Sequence, residues 1–292
     1  MPVLISVVIP TLGRASLKDA IESAVKQNVP VSEILVINDS GAALDDFQEP
    51  GVRIIDTQGG LGAAGARQIG VAASGGEFVA FLDDDDEWLD GHLEDALNVL
   101  TTQTDVAVYA ARAEIWTDGI RSISPRVVYQ GRHSLISFPY GWRALLGRSR
   151  TLPTPTVVAR RKSVASTMMD CHLPAREDIA WRLDLEASGC KISQSKRCGA
   201  RVFADAVRMH GRISTDIELD WAHRLDSLQR GTGARYIALV AARRLARSGD
   251  QDQLRDLARR FRESSPMSPA TRLVTLGFTV LAHLVRMAGR DS

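Results

Sequence analysis

The N-terminal part of the chain alternates between continuous apolar runs and runs with helical spacing. The apolar runs are short and rich in β-branched residues, which is typical of strands buried on both faces. The predicted strands are Val3–Ile9, Glu33–Ile37, Val52–Asp56 and Phe78–Leu82, and the predicted helices are Leu17–Val25 and Ala64–Ala73. We expect Pro10 to end the first strand. Strands that alternate with helices predict an α/β fold with a mainly parallel sheet and crossover helices.

The rest of the chain has a less regular pattern. Its predicted elements are the strands Val106–Ala111 and Thr156–Ala159 and the helix Ile179–Ala187. Residues 117–155 carry several Pro, Gly, Ser and Arg residues, and we expect them to form a long loop region. From about Ile217 the composition becomes helical and rich in arginine. We therefore expect a first domain over residues 1–212 and a C-terminal helical region over residues 213–292.

Polar and acidic residues follow the predicted parallel strands. Thr11 comes after the first strand, Asp39 after the second, and Asp83–Asp86 directly after the fourth. Ligands of such sheets bind at the carboxyl ends of the strands. The sequence therefore predicts a binding site at this edge of the sheet.

The run Asp83–Asp86 is a candidate cation site. Consecutive aspartates repel one another, and hard carboxylate oxygens select Mg²⁺ or Mn²⁺. These ions take one or two protein carboxylates together with substrate phosphates. The alternative is a solvated acidic turn that caps the next helix, because Asp is favoured at helix N-termini. The position directly after the apolar FVAFL favours the metal site.

Composition and charge restrict the class of protein. The 292 residues are 45% hydrophobic and 24% charged, which is ordinary for a globular protein. The formal net charge of +1 gives no overall attraction to nucleic acid. Three cysteines without a CxxC pair favour a reducing cytoplasm. The N-terminus lacks the pattern of a signal peptide, and no apolar run reaches the roughly 18 residues of a spanning helix.

Four sequence blocks carry a resemblance to a known family. They are SVVIPTLGR, ILVINDSG, GGLGAAGARQIGVAASGGEFVAFLDDDDEW and LPAREDIAWRL. In this order they resemble the blocks of family 2 glycosyltransferases, over about residues 3–212. The resemblance implies the GT-A fold, a Rossmann-like, mainly parallel mixed sheet flanked by helices. It also implies an inverting, metal-dependent enzyme that transfers a sugar from a nucleoside diphosphate sugar, expected to be a UDP-sugar. The implied acceptor is a hydroxyl of a glycan or of a lipid-linked precursor of cell-envelope polysaccharide.

The resemblance assigns the donor to residues at the strand ends. The residues that it assigns to nucleotide-sugar binding are Pro10, Thr11, Arg14, Asp39, Arg67, Asp83 and Asp84. It implies that Asp39 accepts a hydrogen bond from the base and that Arg67 contacts the base or the diphosphate. Asp83 or Asp84 would contact the ribose. Each also has an ordinary structural interpretation, such as a turn residue for Asp39 and a surface arginine for Arg67.

The resemblance also assigns the metal, the catalytic base and the acceptor site. It implies that Asp85 ligates Mn²⁺ or Mg²⁺ and that His210 assists the metal or the diphosphate. Asp178 would be the general base that removes the acceptor proton, with Glu177 and Trp181 in the acceptor site. The structural alternatives are charge compensation at a helix start for the acidic pair and a structural role for the lone histidine.

Two other functions stay open on the residues alone. A sugar-nucleotide pyrophosphorylase, a nucleotidyltransferase, needs a glycine-rich triphosphate loop with Arg and Lys, and PTLGRASLK is a poor version of it. A non-catalytic nucleotide-sugar-binding protein would not need Asp178.

The apolar stretch Leu273–Val285 lies between Arg272 and Arg286 near the C-terminus. It is too short to span a bilayer, but a helix with basic neighbours can lie on an anionic membrane. We therefore expect either a peripheral contact with the inner face of the plasma membrane or packing against the core or a second copy in a homodimer.

Overall fold

The computed structural model describes residues 4–44, 50–131, 134–136, 152–167, 169–173, 176–204, 213–242, 244–245 and 250–264. The chain divides into two compact units. The first unit comprises Met1–Leu135 and Ser149–Asp205, and the second comprises Ile136–Arg148 and Ala206–Ser292. The predicted domain boundary between residues 212 and 213 stays a prediction.

The first unit is built on one mixed sheet, to which nine strands of the described residues contribute. They are β1 (Ile5–Thr11), β2 (Glu33–Asn38), β3 (Val52–Asp56), β4 (Phe78–Phe81), β5 (Asp86–Trp88), β6 (Val106–Thr117), β7 (Ile120–Ser124), β8 (Val158–Arg160) and β9 (Lys191–Phe203). The strand order is β3-β2-β1-β4-β8-β6-β9-β5, with β7 paired to β6. β1 to β4 pair in parallel, whereas β8 runs antiparallel to both β4 and β6. The predicted α/β class with a mixed sheet is confirmed.

Five helices of the first unit fall within the described residues. They are α1 (Leu17–Val25), α2 (Gly62–Ala73), α3 (His92–Thr102), α4 (Arg161–Ala165) and α5 (Glu177–Ala187). The central strands β1 and β4 are buried along their whole length. Their apolar side chains pack against α1 and α3 in one hydrophobic core. The core therefore fixes the carboxyl ends of β1, β2 and β4 at a common edge.

The expectation that Pro10 ends the first strand is wrong, because β1 continues to Thr11. Pro10 pairs with Ile37 of β2, and Thr11 accepts a hydrogen bond from the Asp39 amide on that side. Pairing between β1 and β4 ends at Val8. The amide hydrogen that proline lacks would face the β4 side, where no ladder bond remains to be lost.

Other elements differ from the prediction because their residues lack a strong pattern. β7 lies inside the predicted loop region, and β6 extends to Thr117. β5, β9, α3 and α4 were not predicted. The strand β9 reads KISQSKRCGARVF, which is largely polar, yet it pairs in parallel with β6 and antiparallel with β5. Its position between two other strands, rather than its own hydrophobicity, makes it a strand.

The second unit is helical in its described part. It contains α6 (Thr215–Leu228), α7 (Thr232–Tyr236), a π-helical turn (Ile237–Ala241) and α8 (Gln251–Ser264). Glu218 is fully buried, accepts a hydrogen bond from the Tyr236 hydroxyl and forms an ion pair with Arg244 at 2.9 Å. Among the described helices, none is long and apolar enough to cross a bilayer. The stretch Leu273–Val285 lies outside the described residues.

The contact of α2 with β1 gives a test of the packing. A Cβ atom on Gly70 would lie 2.3 Å from Val8 Cγ1. Gly70→Ala gains about 1 kcal/mol of helix propensity, but overpacking costs about 1–3 kcal/mol. We expect a lower urea midpoint of unfolding. Gly75→Ala is the control, because its Cβ would meet Glu33 Oε1 at an ordinary 3.6 Å. Equal midpoints for the two variants would contradict the close packing.

Candidate active site

An open cleft of about 280 Å³ lies at the carboxyl ends of β1, β2 and β4. Parallel strands bring the residues that follow them to this edge of the sheet. The cleft is lined by every residue predicted to bind the nucleotide sugar, together with Asp85. These residues are Pro10, Thr11, Arg14, Asp39, Arg67, Asp83 and Asp84. The structure thus places them together, and their individual roles stay predictions.

The loop after β1 is tied to the acidic run after β4 through Asp84. This carboxylate is 3% exposed and accepts a hydrogen bond from the Thr11 hydroxyl at 2.6 Å. Arg14 forms an ion pair with Asp84 and a second one with Asp85 at 2.9 Å. A single guanidinium therefore bridges two neighbouring carboxylates, which reduces their mutual repulsion.

Arg67 reaches the same cleft from the other side, on α2. Its side chain is buried and forms an ion pair with Asp83. Burial alone would lower the pKa of Arg67, but the charge and hydrogen bond of Asp83, together with the charges of Asp178 and Glu177, outweigh it and the pKa is raised. The buried Nε of Arg67 has no hydrogen-bond partner in the described part of the protein. Because buried donors are normally satisfied, this unpaired Nε marks Arg67 as a candidate ligand-binding residue.

Asp39 connects the end of β2 to the start of α2. Its Oδ1 accepts a hydrogen bond from the Thr57 hydroxyl at 2.5 Å, and its Oδ2 accepts one from the Gly62 amide at 2.8 Å. Gly62 is the first residue of α2, so the carboxylate also compensates the helix dipole. Each carboxylate oxygen has a second lone pair. Asp39 can therefore hold α2 and still accept a hydrogen bond from a bound base.

The four aspartates of the run differ in their surroundings. Asp86 turns away from the cleft into β5, where it accepts a hydrogen bond from the Phe203 amide at 3.1 Å. Burial, followed by the charges of Asp83 and Asp85, raises the pKa of Asp86 to about 9. Burial also raises the pKa of Asp85, although Arg14 opposes it, and the side chain of Asp85 is 33% exposed. The charges of Asp84 and Asp83 also raise the pKa of Asp85, so a cation beside it would stabilise its ionised form.

The metal predictions have mixed outcomes. Asp85 lines the cleft, and a divalent cation beside it would offset the repulsion from Asp84 and Asp83. His210 lies outside the described residues. Within the described ranges, no three His, Cys, Asp or Glu side chains form a ligand cluster. An ion here would therefore rely on few protein ligands and on oxygen atoms of a bound substrate, as Mg²⁺ commonly does.

The predicted catalytic pair begins α5. Asp178 Oδ2 accepts hydrogen bonds from the Thr154 hydroxyl at 3.1 Å and from Arg182 at 2.8 Å. Burial would raise the pKa of Asp178, but the charges of Arg182 and Arg67 outweigh it and the pKa is lowered. Burial and the neighbouring Asp178 raise the pKa of Glu177. The guanidinium of Arg67 acts on both carboxylates.

Trp181 is buried rather than exposed in the cleft. Its indole N–H donates to the Thr167 carbonyl at 2.7 Å, and its ring meets Phe81 edge to face. It lines a mainly apolar cavity of about 180 Å³ that also has Arg67 in its wall. A role in acceptor binding stays a prediction, and any contact would be through this cavity.

Comparison with known proteins agrees with this geometry. Residues 6–167, more than half of the chain, match the family described as "Glycosyl transferase family 2". This chain belongs to glycosyl transferase family 2. The match ends before the pair at the start of α5, so the roles of Glu177 and Asp178 do not follow from it.

Two curated relatives within the same class of enzyme match part of the chain. The Escherichia coli UDP-Glc:alpha-D-GlcNAc-diphosphoundecaprenol beta-1,3-glucosyltransferase WfgD is 28% identical over 103 residues, which are 33% of this chain and 41% of that protein. The uncharacterized glycosyltransferase YwdF of Bacillus subtilis (strain 168) is 32% identical over 95 residues, 31% of this chain and 35% of that protein. The chain thus spans less than half the length of these relatives.

Solved structures of S. aureus TarS share the fold of this family 2 member. TarS 1–349 superposes with a TM-score of 0.63 at 16% identity, over 100% of this chain and 92% of that one. Its complex with UDP-GlcNAc gives a TM-score of 0.65 at 15% identity over the same shares. At such identities the likeness shows the fold alone, and it confirms the GT-A class.

The sequence analysis did not identify Thr154 and Arg182, the two residues whose side chains bind Asp178. Arg182 lies four residues after Asp178, a spacing that pairs opposite charges on one helix face. That signal was present in the sequence. Nothing in the sequence brought Thr154 to the same carboxylate, because the contact joins distant parts of the chain.

The two sets of contacts of Asp39 give a second prediction. Asp39→Asn and Thr57→Val each disturb the partly buried hydrogen bond between these residues, and such a bond contributes about 0.5–1.5 kcal/mol to stability. We expect both variants to unfold at lower denaturant concentration. Only Asp39→Asn is expected to weaken the binding of uridine nucleotides in calorimetry. Equal loss of affinity in the Thr57→Val control would make Asp39 a structural residue only.

Proposed function

We propose that this chain is an inverting, divalent-metal-dependent glycosyltransferase that transfers a sugar from a nucleoside diphosphate sugar to an acceptor hydroxyl. The observation that carries the proposal is the charge arrangement of the cleft. Carboxylates after β4 meet Arg14 on one side and Arg67 on the other. The charge of Arg67 also acts on Glu177 and Asp178. The side chains proposed to bind the nucleoside diphosphate sugar and the candidate base therefore share one electrostatic environment.

Arg67 and the start of α2 support binding of the donor diphosphate. A guanidinium can pair with phosphate oxygens through two hydrogen bonds, and the Nε of Arg67 is unpaired in the described residues. Asp39 already takes the Gly62 amide, but the first turn of α2 lines the cleft at Gly62 and Ala63, and a helix N-terminus favours an anion. Asp39 would accept a hydrogen bond from the base. The complexes of S. aureus TarS with UDP-GlcNAc and with UDP support a uridine nucleotide.

Asp178 is the proposed general base. One of its oxygens accepts the proton of the acceptor hydroxyl as the acceptor oxygen attacks the anomeric carbon. The bond from that carbon to the diphosphate breaks, and its electron pair leaves with the nucleoside diphosphate. Arg67 stabilises this growing negative charge, an electrostatic effect that often dominates catalysis. A single displacement of this kind inverts the anomeric configuration.

The proposed cofactor is Mn²⁺ or Mg²⁺. Asp85 would hold it together with the donor diphosphate, and His210 would be a further ligand. When bound, such an ion neutralises charge on the leaving diphosphate. The position of Asp85 in the cleft and its partly exposed carboxylate, which Asp84 and Asp83 repel, support its role as the protein ligand.

The proposed acceptor is a hydroxyl of a glycan or of a lipid-linked precursor, with Glu177 beside it. The name of the relative WfgD, which includes a diphosphoundecaprenol-linked GlcNAc, supports a lipid-linked acceptor. The three cysteines are all free, which supports a reducing cytoplasm as the place of reaction. Contact with the membrane and a homodimer stay predictions from the sequence.

Asp178→Asn tests the proposed function directly. The change keeps the size of the side chain and removes its basicity, so the transfer rate should fall about 10²–10⁴-fold. Donor affinity, measured by calorimetry, should stay near that of the wild type. The measurement is transfer from a panel of UDP-sugars, with anomeric proton NMR to establish inversion.

Asp184→Asn is the matched control, because Asp184 is an acid of the same helix that lies in its second half, whereas Asp178 lies in its first turn. An Asp178→Asn variant that melts at a lower temperature but transfers sugar at the wild-type rate would leave Asp178 with a structural role only. Retention of the anomeric configuration would overturn the single displacement.

Asp85→Ala tests the metal. We expect the variant to lose the part of its UDP-sugar affinity that depends on Mn²⁺. The change removes the carboxylate of Asp85, which is partly exposed, whereas that of Asp84 is buried. Titration calorimetry with and without Mn²⁺ measures this difference. The exposed Asp90 is the control, and Asp90→Ala should bind as the wild type does. Unchanged Mn²⁺-dependent affinity in Asp85→Ala would show that this carboxylate does not hold the ion.

A further inference from the structure

A buried triangle of hydrogen bonds surrounds one oxygen of Asp178. Arg182 Nη2 donates to Asp178 Oδ2 at 2.8 Å and to Thr154 Oγ1 at 2.5 Å. The Thr154 hydroxyl donates in turn to the same Oδ2 at 3.1 Å. Arg182 is 5% exposed and Thr154 is 7% exposed, whereas the side chain of Asp178 is 31% exposed. Two buried residues thus hold a carboxylate that still faces solvent.

The triangle joins two separate parts of the first unit. Asp178 and Arg182 lie on one face of α5, four residues apart. Thr154 begins the 3₁₀ turn Thr154–Thr156, which leads into β8 and has its last residue bonded to Ala111 of β6. The carboxylate is therefore fixed relative to both the helix and the sheet.

The other oxygen of Asp178 is less occupied. Its Oδ1 accepts the Ile179 amide at 2.8 Å, and a carboxylate oxygen has a second lone pair for a further donor. Since Arg182 and Thr154 both bind Oδ2, they direct the carboxylate so that Oδ1 keeps this capacity. A carboxylate that can rotate freely would present either oxygen.

We propose that Arg182, together with Thr154, is a positioning residue that holds Asp178 by Oδ2 and leaves Oδ1 to take the acceptor proton. The proposal rests on the proposed function of Asp178. A merely stabilising role is a weaker explanation, because a buried ion pair can often be replaced by apolar residues at no loss of stability. Arg182 also keeps a buried Nε without a partner in the described residues, so its burial is not optimised for stability.

The charges that act on Asp178 come from three elements. Arg182 and Glu177 belong to α5, Arg67 belongs to α2, and Thr154 contributes its hydroxyl dipole. Burial alone would raise the pKa of Asp178. The charge of Arg182 is the largest influence in the opposite direction, followed by that of Arg67, and the pKa is lowered. Glu177 is a like charge and acts against the arginines. Without Arg182 the balance moves towards burial and Glu177, so the pKa of Asp178 must rise.

The test measures the pKa of Asp178 without relying on catalysis. In the full chain, selectively ¹³Cγ-labelled aspartate is titrated by NMR, with Asp178→Asn to assign the signal. An opposite charge nearby lowers a carboxyl pKa by about 1–3 units, so Arg182→Gln should raise that of Asp178 by a comparable amount. Thr154→Val should raise it less, and Arg182→Lys should restore most of the wild-type value. An unchanged titration in Arg182→Gln overturns the proposal.

The acidic limb of kcat/KM against pH is the second readout. A raised pKa protonates the base at low pH, so the activity of Arg182→Gln relative to wild type should increase as the pH rises. Arg160→Gln is the matched control, because Arg160 donates to the Leu100 and Val106 carbonyls, away from the cleft. The Arg160→Gln variant should have a lower melting temperature, but the acidic limb of its kcat/KM profile should stay at the wild-type pH. A limb that shifts equally in the control would reduce Arg182 to a stabilising residue.

The two readouts separate this inference from the proposed function. A wild-type chain that transfers no sugar from any UDP-sugar would contradict the function, while the NMR titration would still decide whether Arg182 controls Asp178. A normal transfer reaction with an unmoved NMR titration and an unmoved limb would keep the function and reject the positioning role. If Arg182→Gln does not fold, Thr154→Val and Arg182→Lys give the same comparison at smaller amplitude.

Discussion

The structure of the site depends on one constraint, the concentration of carboxylates directly after β4. Like charges at a buried strand end repel, and they are tolerated only when cations and donors surround them. Arg14 reaches Asp84 and Asp85 from the loop after β1, and Arg67 reaches Asp83 from α2. Because the two arginines come from different elements, balancing the charge also fixes the loop and the helix on either side of the cleft.

The charges and hydrogen-bond donors in the cleft are not fully balanced, and the groups that remain suit a nucleoside diphosphate sugar. Asp85 keeps a raised pKa, and the Nε of Arg67 lacks a partner among the described residues. The cleft therefore has a demand for positive charge at one place and for an acceptor at another. A divalent ion together with a diphosphate satisfies both demands at once, since the ion meets the carboxylate and phosphate oxygens meet the guanidinium. A phosphate alone would meet the carboxylates unfavourably.

The sequence predicted those parts of the fold and site that follow from local pattern. The strands β1 to β4 and the polar residues after them were found because apolar runs end at Thr11, Asp39 and Asp83. The remaining features follow from which strands pair with each other, and the local sequence pattern does not show this. β9 is a strand because of its neighbours, and Pro10 stays in β1 because its missing amide faces no partner. Asp86 looked equivalent to the other aspartates, but its pairing in β5 turns it away from the cleft.

Glu177 and Asp178 show most clearly what the sequence alone leaves undecided. The two acids are adjacent, and both begin α5, so propensity and helix dipole treat them alike. The residues that surround them, however, treat the two acids differently. Glu177 is buried beside a like charge and its pKa is raised, whereas Arg182 and Arg67 lower that of Asp178. Neighbouring groups whose pKa values are driven apart differ in role. Asp178 is the one of the pair whose surroundings favour the ionised form, and a carboxylate must be ionised before it can accept a proton.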